Sequence, residues 1–192
     1  VKIRPARWSD GSELTSKDVA FTGRFIQEFK IPRYSSKWQF IEKIETPDKH
    51  TVKFYLKKPM AIFLTRTLAT PIVQENEWLK IAEEARKTEK PLVTLLNYKI
   101  EKPVGSGPFV LKEWRQGAYL FLQKNKHFFG KNREINNRKL GPYVGGIIFK
   151  VFGTSDAAIL ALKKGSVDYF WWGIQAGYLK DLQKHKNIRI FS

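Results

Sequence analysis

The sequence contains no cysteine and no apolar run that approaches the roughly 20 residues needed to cross a bilayer. Disulfide bonds and thiol chemistry are therefore excluded, although the redox compartment stays open. No signal-peptide pattern begins at Val1. We expect a polypeptide that is not itself membrane-spanning.

Groups suited to catalysis or metal binding are few. The three histidines, His50, His127 and His185, lie in different segments without a nucleophile, an orienting carboxylate or a second ligand at recognisable spacing. Asp156 and Asp168 have local explanations, as a helix-start and a strand-end residue. Paired-carboxylate hydrolysis stays open from one sequence, but no pattern favours it. We predict no enzyme activity, no catalytic residue, no metal site and no cofactor.

Positive charge, in contrast, is abundant. The net charge is +17; residues 1–96 have 18 Lys and Arg against 12 Asp and Glu, and residues 97–192 have 17 against 6. Such a surface can attract nucleic acid or anionic lipid. The basic residues are scattered singly or in pairs, however, which suits solvated sheet faces at least as well. A basic nucleic-acid-binding domain is kept as an alternative, while the favoured interpretation has no nucleic-acid partner.

The first half of the chain predicts helices and one hairpin. With 42% hydrophobic and 14% aromatic residues, the chain is globular rather than disordered. Its 192 residues are enough for one large domain or two small ones. Thr15 is a predicted N-cap, with Asp18 completing a capping box. Residues 38–46 and 51–57 predict a hairpin, and residues 75–88 a helix stopped by Pro91. The first helix has an aromatic stripe typical of a core: Phe21, Phe25 and Phe29. A shorter helix is expected at 60–68 and a connector at 91–103.

Residues 102–109 have two glycines and two prolines within six positions. The run leads into a predicted hairpin, 109–114 with 119–124. A phosphate cradle would lead into a helix N-terminus instead. We therefore interpret the run as a structural junction and not as a nucleotide site.

The second half predicts a strand, helix, strand crossover. A strand at 147–152 precedes a helix opened by Thr154, and Gly165 suits the left-handed position after that helix. Residues 167–170 predict the second strand, parallel to the first. A final helix near 178–184 and a strand at 188–191 follow.

Ligands of open α/β sheets lie beyond the carboxyl ends of the strands. That rule indicates Trp171, Trp172, Gly173 and Ile174. Adjacent tryptophans in an extended segment face opposite sides, so at most one can enter the same core. The other is expected to meet another apolar partner or a ligand, since indole offers a flat face to sugars, peptide side chains or cations. Alternatively, both pack beneath another part of the polypeptide.

Four motifs resemble those of one family. Residues 8–19, WSDGSELTSKDV, resemble the W-S-D-G-x-x-L-T-A-x-D-V segment of the extracytoplasmic solute-binding proteins of ABC importers, in the oligopeptide- and dipeptide-binding class (family 5). Residues 103–109, PVGSGPF, are similar to that class's P-V-G-T-G-P-Y element. Residues 120–129 are similar to L-x-x-N-x-x-Y-W, with two phenylalanines replacing Tyr-Trp. Residues 158–168, AILALKKGSVD, resemble A-L-x-x-G-x-x-D.

The resemblance implies an α/β fold, a periplasmic-binding-protein type II-like fragment with mixed sheets and flanking helices, whose second lobe is missing. Residues 1–100 would be a smaller accessory domain, and residues 101–192 the central part of the first ligand-binding lobe. In this class two lobes close over the solute, and an ABC permease in the membrane recognises the closed form. An internal piece of such a protein is expected to bind solute weakly or not at all.

The resemblance also implies a site and a place of action. Carried over by position, Trp171, Trp172 and Gly173 face the solute cleft, and Tyr34 in the accessory domain's first long loop is a further ligand-binding candidate. The implied solute is an oligopeptide, with an oligosaccharide as the alternative. The implied location is periplasmic or otherwise extracytoplasmic.

Overall fold

The computed structural model describes residues 1–131 and 133–191. The chain divides into two units. Unit 1 comprises residues 1–113 and 121–147, and unit 2 comprises residues 114–120 and those from 148 onwards. The chain passes between the units three times, each time within a strand.

Unit 1 is built around helix α1 (Ser16–Phe29), and the predicted capping box is confirmed. The Thr15 hydroxyl accepts a hydrogen bond from the Lys17 N–H (3.3 Å), and the Thr15 N–H donates to Asp18 Oδ2 (2.8 Å). The other oxygen of Asp18 accepts from the backbone N–H of Glu75 at 2.9 Å. Glu75 begins α3 (Glu75–Arg86), so one buried carboxylate stabilises the N-termini of two helices.

The phenylalanine stripe of α1 lies in the core, as the four-residue spacing predicts. Ring centroids of Phe21 and Phe25 are 5.7 Å apart, and those of Phe25 and Phe29 are 5.1 Å apart. Trp78 of α3 meets Phe25 edge-on at 5.5 Å. The buried cluster also includes Ile81, Ala82, Ala85 and Leu95.

The opposite side of α1 packs on the predicted hairpin, which is confirmed as β3 (Ile41–Asp48) antiparallel to β4 (Thr51–Leu56). The predicted start of its first strand at residue 38 is wrong, because residues 35–38 form a short helix. Trp38, at the end of that helix, α2 (Ser35–Trp38), is buried between α1 and the hairpin, and its indole N–H donates to Thr70 Oγ1 at 3.0 Å. A Cβ on Gly23 would lie 2.5 Å from the Trp38 ring, so only glycine permits this close approach.

Four further elements complete the first 97 residues. Strands β1 (Ala6–Arg7) and β2 (Glu13–Leu14) form a small antiparallel pair, and the short helix predicted at 60–68 is a π-helical turn, Phe63–Thr67. The connector predicted from residue 91 is wrong in its first part, because Pro91–Asn97 forms helix α4. Pro91 opens this helix at its first position, where a missing N–H costs nothing.

The glycine junction at 102–109 is held by hydrogen bonds within unit 1. Gly105 donates to Ser9 Oγ (3.2 Å) and accepts from the Ser9 N–H (2.9 Å). The buried Asn125 donates through Nδ2 to the Gly107 carbonyl and through its backbone N–H to the Pro108 carbonyl, both at 2.8 Å. The junction therefore has the structural role that the sequence predicts.

The segment behind the junction enters a three-stranded sheet in the order β5 (Phe109–Arg115), β6 (Tyr119–Lys124), β9 (Gly146–Lys150). Between them, β7 (Glu134–Ile135) and β8 (Arg138–Lys139) form a small hairpin. Unit 2 then has two helices, α5 (Ser155–Lys163) and α6 (Ala176–Leu182).

The predicted crossover is wrong in its second strand, since residues 167–170 form no strand, nor do residues 188–191. Immediately before residue 167, the backbone is held by a side chain, because Lys150 Nζ donates to the Ser166 carbonyl at 2.8 Å. A strand exists only where a neighbouring backbone edge supplies its ladder, and an apolar pattern does not report whether one is within reach.

Candidate functional site

The candidate site begins where α5 ends. The backbone N–H of Ser166 donates to the Ala161 carbonyl and that of Gly165 to the Leu162 carbonyl, both at 3.0 Å. Gly165 has φ of 67°. This is a Schellman motif with glycine in the left-handed position, as predicted. The motif turns the chain sharply into the segment 167–174.

Trp171 and Trp172 lie in that segment with most of their surface in solvent, at 65% and 69% exposure. Their ring centroids are 5.3 Å apart at an interplanar angle of 84°. The prediction that they face opposite sides is therefore wrong, because without a pleated strand the two indoles can meet edge to face. Neither ring lies in a core within the described structure.

The pair lines a concavity of about 1210 Å³ that lies entirely within unit 2. Gly173 lines it too, and a Cβ there would meet no atom within 4 Å. The structure thus brings together three of the predicted site residues. Further aromatic lining residues, which sequence reasoning missed, are Tyr169, Phe170 and Phe191.

Helices α5 and α6 brace the concavity through two polar contacts. Lys163 Nζ donates to Asp181 Oδ2, and this ammonium holds the pKa of the Asp181 carboxyl below its usual range. The Tyr178 hydroxyl donates to Asp156 Oδ1 at 2.6 Å, which raises the pKa of that phenol. Leu182 of α6 is fully buried. The two polar contacts join α5 to α6, and of the lining residues they involve Lys163.

Basic side chains are the second class of lining group that sequence reasoning did not single out. Five of the lining residues are Lys or Arg, and one, Asp168, is acidic. The sequence feature that could have indicated them is the excess positive charge of residues 97–192. Because the basic residues are scattered along the sequence, this excess did not point to any one surface. The basic lining residues are Lys163, Lys164, Lys184, Lys186 and Arg189.

Tyr34, the fourth predicted site residue, belongs to unit 1. It stands at the N-terminal boundary of α2 and packs against the cluster of Ile26, Trp38 and Ile41. The Lys37 ammonium lies 5.5 Å from its ring centroid. Its local environment is thus a core edge with a neighbouring cation, and its role in solute binding stays a prediction.

Within residues 1–131 and 133–191, no three His, Cys, Asp or Glu side chains come together as a metal-binding group. Over the same residues, no helix is both long and apolar enough to cross a membrane.

The chain is similar in sequence to known solute-binding proteins. The oligopeptide-binding protein AppA of Bacillus subtilis is 28% identical over 193 aligned positions, which cover 99% of this chain and 32% of AppA. The probable D,D-dipeptide-binding periplasmic protein DdpA of Escherichia coli is 31% identical over 164 positions, 85% of this chain and 28% of DdpA. The chain thus spans about a third of the length of these relatives.

Solved structures agree with the sequence relatives. AppA of B. subtilis in complex with a nonapeptide matches with a TM-score of 0.74 at 27% identity, covering 97% of this chain and 34% of that one. The mannohexaose-bound oligopeptide-binding protein of Thermotoga maritima matches with a TM-score of 0.69 at 29% identity, covering 93% and 31%. The predicted fold class, an α/β fold of the periplasmic-binding-protein type, is confirmed.

The family itself follows from a match along the whole chain. A family model described as "Bacterial extracellular solute-binding proteins, family 5 Middle" matches residues 1–192. Its members are extracytoplasmic or periplasmic binding proteins, and the predicted resemblance is confirmed. The chain belongs to the family 5 bacterial extracellular solute-binding proteins.

Proposed function

We propose that this chain belongs to the solute-binding component of an ABC importer, which captures oligopeptides outside the cytoplasm by closure of two lobes and delivers them to a membrane permease. Residues 1–100 act as the accessory domain and residues 101–192 as the central part of the first lobe. The component binds and releases its solute without chemical conversion. Trp171, Trp172, Gly173 and Tyr34 contribute to solute binding.

The observation that best supports a peptide solute is the unpaired backbone beside the tryptophans. In the described part of the chain, the N–H and C=O groups of residues 167–174 form no hydrogen bond with other backbone groups or with side chains. The segment has no proline, so each residue offers one donor and one acceptor. An extended peptide presents the complementary groups, as in recognition by strand addition.

The indole pair supplies the apolar part of such a site. An edge-to-face pair with most of its surface exposed can cover a solute side chain, and a tryptophan ring buries about 150–250 Å² when covered. Hydrogen bonds to the main chain of a bound peptide do not depend on its side chains, whereas contacts with the indole rings select the shape of one side chain. Together they suit a site for peptides of varied sequence.

Isothermal titration calorimetry of the full polypeptide that carries these residues tests the proposal. A pool of tri- to nonapeptides should release heat, and the double variant Trp171→Ala and Trp172→Ala should bind at least about tenfold more weakly. Trp114→Ala is the matched control, because Trp114 is equally exposed at 65% but does not line the concavity. An equal loss in the control, or no heat from peptides, would overturn the proposal.

An oligosaccharide is the second candidate solute. The T. maritima relative is described with bound mannohexaose, and exposed indole rings suit stacking on sugars as well as on side chains. A pool of β-linked oligosaccharides in the same calorimeter distinguishes the two. Heat from sugars alone would replace the peptide by the sugar while leaving the importer role intact.

A further inference from the structure

We propose that the concavity of unit 2 selects anionic solutes, specifically acidic oligopeptides. This inference rests on the proposed function and names the solute class of the same site. It follows from the charges around the tryptophan pair and not from any relative.

The charge of the lining is strongly one-sided. Of the five basic lining residues, only Lys163 is paired with a carboxylate in the described structure, through Asp181. Lys184 and His185 also face Asp181, since their charges lower its pKa further. Among the described residues that line the concavity, Asp168 is the only one with a carboxylate. The other four cations of the lining are Lys164, Lys184, Lys186 and Arg189.

These cations are exposed, and they flank the aromatic residues on both sides in sequence. Lys164 precedes the segment 167–174, while Lys186 and Arg189 follow α6 and lead to Phe191. A solute seated on the indoles would therefore have ammonium and guanidinium groups around it. Carboxylates on that solute would replace the missing counter-charges, and complementary charge accelerates encounter and excludes solutes of the wrong sign.

An acidic peptide fits this surface better than a nucleic acid does. The four cations accompany a backbone segment whose donors and acceptors have no partner among the described residues. A peptide main chain can pair both kinds of group, whereas phosphate oxygens only accept hydrogen bonds. Their number is also small compared with the six to ten phosphate contacts typical of strong, salt-dependent nucleic-acid binding.

The test compares isosteric pentapeptides, Ala-Glu-Ala-Glu-Ala and Ala-Gln-Ala-Gln-Ala, by calorimetry with the full polypeptide at low and high salt. We expect the glutamate peptide to bind roughly tenfold more tightly at low salt, with the preference shrinking as salt screens the exposed charges. The variant with Lys164, Lys184, Lys186 and Arg189 all changed to glutamine should bind the two peptides within about twofold of each other.

The matched control removes the same charge from exposed positions of unit 1, by changing Lys57, Lys80, Lys87 and Lys90 to glutamine. This control should keep the preference for glutamate. Equal affinity of the unmodified protein for the two peptides would overturn the anionic preference alone. If neither peptide binds and the mixed peptide pool also releases no heat, the proposed function is overturned as well. Steep salt-dependent binding of single-stranded DNA, stronger than that of the glutamate peptide, would also overturn the inference.

Discussion

One aromatic group in each unit is used in the opposite way to the other. In unit 1 the rings around α1 are buried: Phe21, Phe25 and Phe29 form one stack, and Trp38 is enclosed between α1 and the β3–β4 hairpin. In unit 2 the rings of Trp171, Trp172 and Phe191 lie mostly in solvent, and Phe191 is 83% exposed. The buried apolar residues of unit 2, within the described structure, are Ala158, Ile159 and Leu182.

The difference shows that ring content alone does not distinguish a core from a binding surface. Burial of a ring lowers the free energy of the folded unit whether or not a solute is present. An exposed ring contributes that free energy only when something covers it, and large exposed apolar patches commonly mark interaction sites. In this chain, spacing on an element separates the two uses: rings four residues apart on a helix are buried, and adjacent rings in an irregular segment are exposed.

The largest expected effect is from Phe25→Ala in unit 1. Removing a ring that contacts Phe21, Phe29 and Trp78 should lower the free energy of unfolding by about 3–5 kcal/mol. Trp172→Ala should change it by no more than about 0.5 kcal/mol, because that ring is mainly in solvent. Urea denaturation followed by far-UV circular dichroism measures both, and similar losses would remove the contrast between the units.

A smaller effect is expected from adding one methyl group to a glycine. In Gly23→Ala the new Cβ would lie 2.5 Å from the Trp38 ring and 2.6 Å from Ile44 Cδ1, so the variant should lose about 1–3 kcal/mol. In Gly177→Ala, on α6, the Cβ meets no atom within 4 Å, and the variant should gain up to about 1 kcal/mol. Thermal unfolding checks both signs; a neutral Gly23 variant would show that α1 and Trp38 pack less tightly than described.

The smallest effect concerns pH and Glu77 of α3. Burial raises the pKa of Glu77, the Asp10 carboxylate raises it further, and Glu77 Oε2 has no hydrogen-bond partner among the described residues. The folded state therefore binds the Glu77 proton more tightly than the unfolded chain does. The stability that this proton contributes is fully present below the pKa of Glu77 in the unfolded chain. It is lost as pH rises through the higher pKa of Glu77 in the folded state.

At pH values above the raised pKa of Glu77, Glu77→Gln should therefore increase the free energy of unfolding by at most about 0.5 kcal/mol, because solvent screens this partly exposed group. This increase should shrink as pH falls through the raised pKa of Glu77. Chemical denaturation from pH 4 to pH 8 measures this dependence, with the exposed Glu84→Gln as the control. A gain that grows towards low pH would contradict the assigned direction of the pKa shift.

Local sequence signals predicted most elements of unit 1 because their causes are local. The Thr15 capping box, the phenylalanine stripe of α1 and the alternation of β4 each depend on residues within a few positions of one another. Pro91 shows the ambiguity that remains, since proline suits both the end of one helix and the first position of the next.

The site was predicted only in part. The strand-end rule indicated Trp171, Trp172 and Gly173, which line one concavity, although the strand on which the rule depended is not formed. These residues line the concavity because α5 ends at a Schellman motif with Gly165, which turns the chain into the segment that contains them. The basic lining residues come from two segments about 20 positions apart, so their proximity depends on tertiary structure.

The amino-acid sequence alone was sufficient for the family, the helix caps and the aromatic core of α1, and it indicated the indole pair as site candidates, because motifs, caps and periodicity are short-range properties of the chain. Tertiary structure alone decided that the backbone of residues 167–174 forms no hydrogen bond with other described residues, that the two indoles meet edge to face, and that four cations line the same concavity. These features depend on which backbone edges and side chains come within reach across long separations in sequence, and such distances are set by packing.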